Sequence, residues 1–265
     1  MEFVDSSMNE YNSVIVVDLD GTLLTDNKTI SNSSVSFLTS SSFNIVLASG
    51  RHIEEMIPYA KILEPCVSFL ISCDGCYVFN RAYEKVFENK LLNSLDAQMI
   101  HEITRAKKML LVCDKQNILI CDGFIESIKR VLGVSKSYKT VPCGIEGIEK
   151  IRIQSRNISK KQIDNLSKYY SSHIVFNEYI DIKATGVNKF SAINYLCKML
   201  NIDMGNILYF GDDLNDIECF ENIKHCVAMN NASEEIKQKA EYVTTSNNDD
   251  GVIDALKYYK TKGII

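Results

Sequence analysis

Val14-Ile15-Val16-Val17-Asp18-Leu19-Asp20-Gly21-Thr22 is the stretch of this sequence that decides the fold. Its four consecutive β-branched apolar residues predict a short strand that is buried on both faces, as strands of a parallel sheet are. Two carboxylates follow the strand at once, and Gly21 ends it. The stretch therefore predicts a parallel sheet that carries acidic groups at the carboxyl end of one strand.

The same pattern of buried strand, polar strand end and amphipathic helix recurs at both ends of the chain. Apolar strands are predicted at 44–48, 67–72, 206–210 and 226–229, and helices at 52–63, 190–200, 217–222, 234–240 and 252–259. Strands that alternate with helices indicate an α/β fold. We predict a Rossmann-like, doubly wound parallel sheet as the core.

The middle of the chain has a different character. Helices are predicted at 97–107, 124–132 and 160–170, and strands at 109–113, 118–121, 148–154 and 179–183. Strands paired by hairpins beside helices are typical of an α+β layer arrangement. We therefore expect a core formed by 1–82 and 184–265, interrupted by an inserted α+β cap domain at 83–183.

The charge and composition of the chain argue against several classes of protein. The 265 residues carry a formal net charge of −5, which argues against the broad basic surface of a nucleic-acid or anionic-membrane binder. The first residues do not resemble a secretory signal, and no stretch reaches the ~18 apolar residues of a spanning helix. We expect a cytoplasmic protein, a monomer or weak homo-oligomer. Its nine cysteines, including the Cys73-x-x-Cys76 pair, are expected to be reduced packing residues.

Asp18 and Asp20 are the first candidates for chemistry. Residues two apart on an extended segment point the same way, so their carboxylates would repel unless a cation lies between them. Oxygen ligands of this kind suit Mg²⁺. Asp212 follows another buried strand and is a natural third ligand. The alternative interpretation is a solvated Asp-Gly turn and an acidic helix start.

Two further positions indicate an anion site. Ser49 and Gly50 open a helix, where backbone amides bind phosphate oxygens. Lys189 also lies at a helix start, where a positive charge opposes the helix dipole and is better used on a phosphate. Taken alone, Ser49 could be an ordinary helix cap and Lys189 an ordinary solvated lysine.

Four motifs together resemble those of the haloacid dehalogenase superfamily. They are Asp18-Leu19-Asp20-Gly21-Thr22, Ala48-Ser49-Gly50-Arg51, Gly186-Val187-Asn188-Lys189 and Gly211-Asp212-Asp213-Leu214-Asn215-Asp216. Their order and spacing are similar to those of the Cof-like phosphatases, which carry a type IIB cap between the second and third motifs. The segments 227–232 and 249–252 also resemble this family, and the inserted domain does so in position and length.

The resemblance implies a role for each matched residue. Asp18 would be the nucleophile that forms an aspartyl-phosphate, and Asp20 the general acid and base. Asp18, the backbone carbonyl of Asp20, and Asp212 would hold Mg²⁺. Ser49, Gly50, Lys189 and Asn215 would contact the phosphate, and Asp216 would position Lys189. The cap would close over the site and select the substrate.

The resemblance implies an Mg²⁺-dependent phosphatase acting on a small phosphorylated metabolite, with a sugar phosphate as the expected substrate. A phosphotransferase or phosphomutase of the same superfamily is the alternative, although the segment 211–216 has the short Cof-like spacing. A non-catalytic sugar-phosphate sensor is a third possibility, but it would not need Asp20 or Lys189. Two positions depart from the family pattern: Asp74-Gly75 stands in place of Asn-Gly, and Phe190 follows the lysine. Because of these departures, the substrate of a relative does not carry over to this chain.

Overall fold

The computed structural model of the protein describes residues 13–113, 116–121, 134–138, 140–175 and 178–265. These residues form two compact units. The first comprises the described residues up to Glu88 together with Asn188–Ile265, and the second lies within Asn89–Val187. The second unit is thus an insertion in the chain of the first. In the part of the chain that the structure describes, no helix is long and apolar enough to cross a membrane.

The first unit is built on one eight-stranded sheet. With strands numbered along the whole chain, it contains β1 (Val14–Asp18), β2 (Asn44–Ala48), β3 (Val67–Ser72), β4 (Tyr77–Asn80), β5 (Lys85–Glu88), β12 (Ile207–Gly211), β13 (His225–Ala228) and β14 (Tyr242–Val243). Their order is β14-β13-β12-β1-β2-β3-β4-β5. The six strands from β14 to β3 are parallel, and β4 and β5 extend the sheet as antiparallel neighbours.

Helices cover both faces of this sheet. They are α1 (Asn32–Thr39), α2 (Ile53–Ile62), α5 (Lys189–Leu200), α6 (Ile217–Asn222), α7 (Glu234–Lys239) and α8 (Gly251–Thr261). Ile15 and Val17 pack into one core with residues of α1, α2 and α8, while Val14 and Val16 pack into a second core with residues of α5, α6 and α7. Alternate side chains of β1 point to opposite faces, which explains its continuously apolar sequence.

The second unit has a six-stranded sheet of its own. Its strands are β6 (Lys108–Cys113), β7 (Gln116–Cys121), β8 (Val134–Tyr138), β9 (Ile148–Gln154), β10 (Tyr170–Val175) and β11 (Tyr179–Ala184), in the order β10-β11-β9-β6-β7-β8. All neighbours are antiparallel except β7 and β8. Its described helices are α3 (Ser94–Thr104) and α4 (Lys160–Leu166).

The predicted fold class, an α/β parallel-sheet core with an inserted α+β unit, is confirmed. The core helices lie within two residues of their predicted bounds. The compact units divide at Glu88 and Asn188, later than the predicted boundaries at 83 and 184, because β5 pairs with β4 in the first sheet.

Local elements of the second unit differ from prediction. The helix predicted at 160–170 ends at Leu166, and Tyr170 begins β10, whose polar Ser171-Ser172-His173 hid the strand pattern. Strand β8 of this unit and strand β5 of the first unit, both rich in polar residues, were also missed. The helix predicted at 97–107 begins at Ser94 and ends at Thr104, because Arg105 adopts a left-handed backbone. The helix predicted at 124–132 lies outside the described residues.

Candidate active site

The carboxyl ends of three neighbouring strands carry the predicted site residues. Asp18 is the last residue of β1, and its register partner Ala48 ends β2 immediately before Ser49. Asp212 follows β12, which pairs with β1 on its other side. Ligands of open α/β sheets bind at this edge. Residues far apart in sequence are thereby brought to one rim.

Lys189 lies at the centre of this rim. Its ammonium is completely buried and donates to Asp18 Oδ1 at 2.5 Å and to Asp216 Oδ1 at 2.6 Å. The first turn of α5 places it there, with the Asn188 side chain capping the helix through the Ser191 amide. Burial works to lower the pKa of Lys189, but the two carboxylates hold it well above its usual value. Lys189 is therefore a fixed positive charge beside Asp18.

Asp216 orients this lysine and is itself fully engaged. Its Oδ1 also accepts from the Tyr209 hydroxyl at 2.6 Å, and its Oδ2 accepts from the backbone amides of Asp212 at 2.9 Å and Asp213 at 3.2 Å. Four donors leave little room for another ligand. Asp216 therefore holds the lysine, the tyrosine and the β12–α6 turn in place.

Asp212 lies at this rim close to another carboxylate, and its surroundings change its pKa. Burial and the nearby Asp216 carboxylate raise its pKa to about 7, although the Thr22 hydroxyl donates to its Oδ1 at 3.0 Å. Gly21 approaches it closely: a Cβ at residue 21 would lie 2.2 Å from Asp212 Oδ2, and the φ of Gly21 is +80°. A side chain at position 21 would displace the Asp212 carboxylate, so the glycine is required here.

The carboxylates fit a divalent cation. One oxygen each from Asp18, Asp212 and Asp216 lies within 4.8 Å of the others. Because Asp216 is saturated by protein donors, Asp18 and Asp212 are the side chains able to ligate. Burial raises the pKa of Asp18 well above its usual range, Lys189 opposes this rise, and the neighbouring carboxylates add to it. A hard cation relieves this repulsion, and oxygen donors are what such a cation prefers.

Ser49, Gly50 and Asn215 meet at Asp74. The Asp74 amide donates to the Ser49 carbonyl at 2.9 Å, and the Asn215 side-chain amide donates to Asp74 Oδ1, also at 2.9 Å. A Cβ on Gly50 would lie only 3.0 Å from the same Oδ1. Asp74 is 2% exposed and has a left-handed backbone with a φ of 53°. The residue that departs from the family pattern thus links two of the predicted phosphate-binding segments.

Asp20 has different neighbours from Asp18. Arg51 donates to its two oxygens in a fork, at 2.6 Å from Nε and 2.7 Å from Nη2, and Lys28 Nζ lies 2.7 Å from Oδ1. Partial burial favours a higher pKa, but the hydrogen bonds from Arg51 and Lys28 lower the pKa of Asp20 to about 2. In this arrangement Asp20 is an ionised carboxylate held by two cations.

The loop that carries these residues is tied to the C-terminal part of the unit. Asn231 Nδ2 donates to the Gly21 carbonyl at 2.8 Å, and Asn247 Nδ2 donates to the Leu24 carbonyl at 2.9 Å. The Asn231 side chain in turn accepts from the Asn247 amide at 3.0 Å. The two asparagines satisfy loop carbonyls that are remote in sequence and so set the path of the chain after Asp20.

Several of these residues were not assigned a role from the sequence. Arg51 and Thr22 stand inside quoted motifs, and Asp74 was noted only as a departure from the family pattern. Tyr209 in an otherwise apolar strand was a usable signal, since a buried hydroxyl requires a partner. Lys28 had no sequence signal. Of the predicted residues, the structure brings Asp18, Lys189, Asp212 and Asp216 together, while Asn215 hydrogen-bonds Asp74.

A doubly wound sheet with clustered aspartates and a buried lysine at its carboxyl edge offers carboxylate oxygens to a cation and an ammonium to an anion at one place. The sequence model of the haloacid dehalogenase-like hydrolases matches residues 15–256. The chain belongs to this family, as its motifs predicted.

Curated relatives extend over nearly the whole chain. A 5-amino-6-(5-phospho-D-ribitylamino)uracil phosphatase of Bacillus subtilis is 26% identical over 93% of this chain and 95% of its own length. A phosphoglycolate phosphatase of Methanosarcina acetivorans is 26% identical over 95% of this chain and 98% of its own length. Together with the family, these relatives support the prediction of a phosphoric monoester hydrolase.

The fold has solved counterparts. The crystal structure of a haloacid dehalogenase-like hydrolase from Bacteroides thetaiotaomicron matches with a TM-score of 0.72 at 21% identity, covering 93% of this chain and 98% of that one. At this level of identity the likeness concerns the fold, and it agrees with the predicted core and insertion.

Proposed function

We propose that this protein is an Mg²⁺-dependent phosphatase that hydrolyses a small phosphorylated metabolite, a sugar phosphate in the first instance, through an aspartyl-phosphate on Asp18. The observation that carries the proposal is the buried Lys189 ammonium, 2.5 Å from Asp18 Oδ1 and 2.6 Å from Asp216 Oδ1. A fully desolvated cation beside a strand-end carboxylate suits the stabilisation of charge on a transferring phosphoryl group.

In the first displacement, an oxygen of Asp18 forms a bond to phosphorus while the bond from phosphorus to the leaving oxygen breaks. Asp20, after leaving Arg51 and Lys28 and taking up a proton from solvent, gives that proton to the departing alcohol. In the second displacement, Asp20 takes a proton from water, and the water oxygen replaces Asp18 on phosphorus. Phosphate leaves and both carboxyl groups return to their starting states.

The remaining residues bind the phosphate group and orient the Asp18 nucleophile. Lys189 keeps one Asp18 oxygen in a single direction, so the other oxygen is available for attack. The described residues supply no donor to that second oxygen. Ser49, the amide of Gly50 and Asn215 would hold phosphate oxygens, and Asp216 with Tyr209 keeps Lys189 in place.

The donor set also indicates where the cofactor binds. Asp18, the Asp20 backbone carbonyl and Asp212 would hold Mg²⁺, which when bound offsets charge on the phosphoryl group. Thr22 orients Asp212 for this task through its hydroxyl, and Gly21 leaves the space that the Asp212 carboxylate occupies.

Segment 83–183 is proposed to act as the specificity domain. Two relatives support a polyol- or acid-derived ester as substrate, since one is named for a phosphorylated ribityl compound and the other for phosphoglycolate. A cytoplasmic location and a monomeric or weakly oligomeric state remain predictions, and so does the lack of a nucleic-acid partner, which the formal net charge of −5 supports.

The test is turnover of p-nitrophenyl phosphate by the full chain with Mg²⁺, with EDTA, and in the Asp18→Asn variant. We expect hydrolysis that EDTA abolishes and that Asp18→Asn reduces by at least about 10³-fold, because the nucleophile is lost. Full activity in Asp18→Asn would contradict the proposal. A hydrolysis screen over phosphorylated sugars, nucleotides and pyridoxal phosphate then ranks substrates, and transfer of the phosphoryl group to a second sugar instead of water would favour a phosphotransferase.

A further inference from the structure

Lys28 and Arg51 bind Asp20, and Tyr59 contacts the Arg51 side chain and the Lys28 backbone; Lys28, Arg51 and Tyr59 are here called the Asp20 clasp. Arg51 holds both carboxylate oxygens at 2.6 and 2.7 Å, and Lys28 holds one at 2.7 Å. The pair carries two positive charges against the single negative charge of Asp20. Asp26 and Glu55 also act through their charges on Lys28 and Arg51 respectively, so an incoming anion would bind here by replacing Asp20 as the partner of these cations.

The clasp has features of a built site rather than of chance surface pairing. Lys28 has a left-handed backbone with a φ of 58° in a turn closed by the bond from its amide to the Thr25 carbonyl at 2.8 Å. The Tyr59 hydroxyl donates to the Lys28 carbonyl at 3.1 Å, and the Tyr59 ring centre lies 5.3 Å from Arg51 Cζ. A non-glycine residue in this backbone region costs free energy and is retained where the surroundings require it.

The position of the clasp follows from the role of Asp20. If Asp20 gives its proton to the leaving oxygen, then Lys28 and Arg51 flank the alcohol that departs with that oxygen. Asp20 must also release the guanidinium fork before its carboxyl group can turn to that oxygen. A group on the leaving alcohol that replaces Asp20 as the partner of Arg51 would fit the position of the alcohol beside the two cations. It would also release Asp20 from the guanidinium.

We propose that the Asp20 clasp recognises an anionic group on the leaving alcohol, so that the preferred substrates are phosphate esters whose alcohol carries a carboxylate or a second phosphate. The anion takes over the contacts of Arg51 and Lys28 and frees Asp20 for the leaving oxygen. Sugar-acid phosphates and sugar bisphosphates both have this chemistry. The inference rests on the proposed function, because it uses Asp20 as the acid.

The two cations contribute unequally. The Arg51 side chain is 21% exposed and offers a planar fork, whereas the Lys28 side chain is 56% exposed. Partly desolvated bidentate contacts are the stronger ones. A change at Arg51, however, also alters the immediate setting of Asp20. Lys28 is therefore the better position for a clean test, although its effect is smaller.

The experiment compares two esters of similar size, 2-phosphoglycolate, whose alcohol carries a carboxylate, and 2-hydroxyethyl phosphate, whose alcohol carries a neutral hydroxymethyl group, with ethylene glycol bisphosphate as the second anionic probe. The measured quantity is the ratio of kcat/KM for each anionic ester to that of the neutral ester. It is determined for the full chain with Mg²⁺ and for Lys28→Met, Lys28→Arg and Tyr59→Phe. Lys61→Met, an exposed lysine of α2, is the matched control.

We expect the wild type to favour at least one anionic ester by about tenfold or more, and Lys28→Met to reduce this ratio by about fivefold, as for an exposed ion pair. Lys28→Arg should restore the ratio, Tyr59→Phe should lower it in part, and Lys61→Met should leave it unchanged. Which anionic ester is favoured distinguishes a carboxylate from a second phosphate.

Equal use of charged and neutral esters by the wild type, or an unchanged ratio in Lys28→Met, would overturn the inference and leave the phosphatase proposal standing. Absence of turnover of all three esters and of p-nitrophenyl phosphate would instead reject the proposed function, and the inference with it. A ratio lost equally in Lys28→Arg and Lys28→Met would show a structural effect of the turn and would also overturn the inference.

Discussion

At the residue scale, charge balance controls the site. Three carboxylates, Asp18, Asp212 and Asp216, share one buried ammonium, so the described cluster has a formal excess of negative charge. Removing one partner of a buried pair leaves an uncompensated charge that costs about 3–5 kcal/mol. The Lys189 ammonium is therefore needed for folding as well as for chemistry, whereas Asp18 is a carboxylate that the metal-free fold holds at a cost.

That cost leads to a prediction for Asp18→Asn. Burial, opposed by Lys189, raises the pKa of Asp18 well above its usual range, so the folded chain binds this proton more tightly than the unfolded chain. The resulting stabilisation is complete below the unfolded pKa of about 3.9 and is lost as pH rises through the folded value. In EDTA at pH 7, we expect Asp18→Asn to melt higher than the wild type by about 2–4 °C.

The difference in melting temperature between Asp18→Asn and the wild type should shrink towards pH 4. It should also narrow when Mg²⁺ is added, because the ion stabilises the wild type more than the variant. Thermal unfolding followed by circular dichroism measures both effects. Asp249→Asn, which alters an exposed carboxylate, is the control and should not shift the melting temperature. A lower melting temperature for Asp18→Asn at pH 7 in EDTA would contradict the prediction.

Asp74 gives a second prediction at this scale. The Asp74 carboxylate can only accept hydrogen bonds. It therefore orients the Asn215 side chain with the amide Nδ2, and not the amide oxygen, towards Asp74. Asp74→Ala and Asn215→Ala should each lower kcat/KM for p-nitrophenyl phosphate, by about tenfold. The double variant should be little worse than the poorer single variant, because both changes break one unit.

Asp74→Asn retains an acceptor and should lose less activity than Asp74→Ala. The measurement is a double-mutant cycle on kcat and KM, with the melting temperature of each variant as a check on folding. Fully additive losses would mean that Asp74 and Asn215 act independently.

At the element scale, polar residues hold strands together in the second unit. Asp181 on β11 is opposite Arg152 on β9, which donates to it in a fork at 2.6 and 2.7 Å, and Lys150 lies 3.2 Å away. Asp181 is 1% exposed, so these contacts replace its hydration. The ion pairs therefore help to fix the pairing of β9 with β11, which the apolar pattern of the strands also specifies.

The effect of Asp181→Asn should depend on pH. Although burial favours a higher value, hydrogen bonds from Arg152 and the charges of Lys150 and His173 hold the pKa of Asp181 below its usual range. Such a group stabilises the fold above the unfolded pKa of about 3.9, and the stabilisation is lost as pH falls through the folded value. We expect Asp181→Asn to cost about 2 kcal/mol at pH 7, less than a fully buried pair because Arg152 reaches solvent.

Denaturant unfolding at several pH values measures this cost, which should decrease as pH falls below about 3.9. Asp164→Asn in α4 changes an exposed carboxylate of the same unit and is the control. A cost that is constant from pH 7 to pH 3 would assign the effect to packing rather than to charge.

At the scale of the whole molecule, the chain leaves the first unit and re-enters it at places that lie close together. The last strand before the insertion, β5, contacts the first helix after it, α5: the Phe87 and Tyr195 rings stack with centres 4.0 Å apart, and the Tyr195 hydroxyl donates to the Val86 carbonyl at 3.2 Å. Tyr195 is about two helical turns, roughly 10 Å, from the start of α5.

A short linker should therefore replace the second unit. We expect a chain in which 89–187 is substituted by about six Gly/Ser residues, with an average span of roughly 13 Å, to fold cooperatively. It should retain hydrolysis of p-nitrophenyl phosphate, because the described contacts of Asp18, Lys189 and Asp212 lie within the first unit. Its discrimination among metabolite esters should be weaker than that of the full chain.

Circular dichroism melts and the ester screen test this expectation, with Asp18→Asn in the shortened chain as the inactive control. A shortened chain that folds and keeps the full selectivity profile would contradict the assignment of specificity to 83–183. A chain that fails to fold would show that the first unit depends on the insertion for stability.

The amino-acid sequence by itself determined the parallel-sheet core and the strand-end candidates Asp18 and Asp212, and the four motifs taken together added Lys189. These follow from local patterns, namely β-branched runs, the polar residues that end them and helix starts, and short-range backbone preferences act on such patterns directly. The resemblance predicted that Asp216 positions Lys189, but only the tertiary structure decided that Tyr209 hydrogen-bonds Asp216, that Asn215 bonds Asp74, and that Lys28 and Arg51 hold Asp20. Those contacts depend on side chains that converge from separate segments at one sheet edge, and no local pattern encodes which of them will meet.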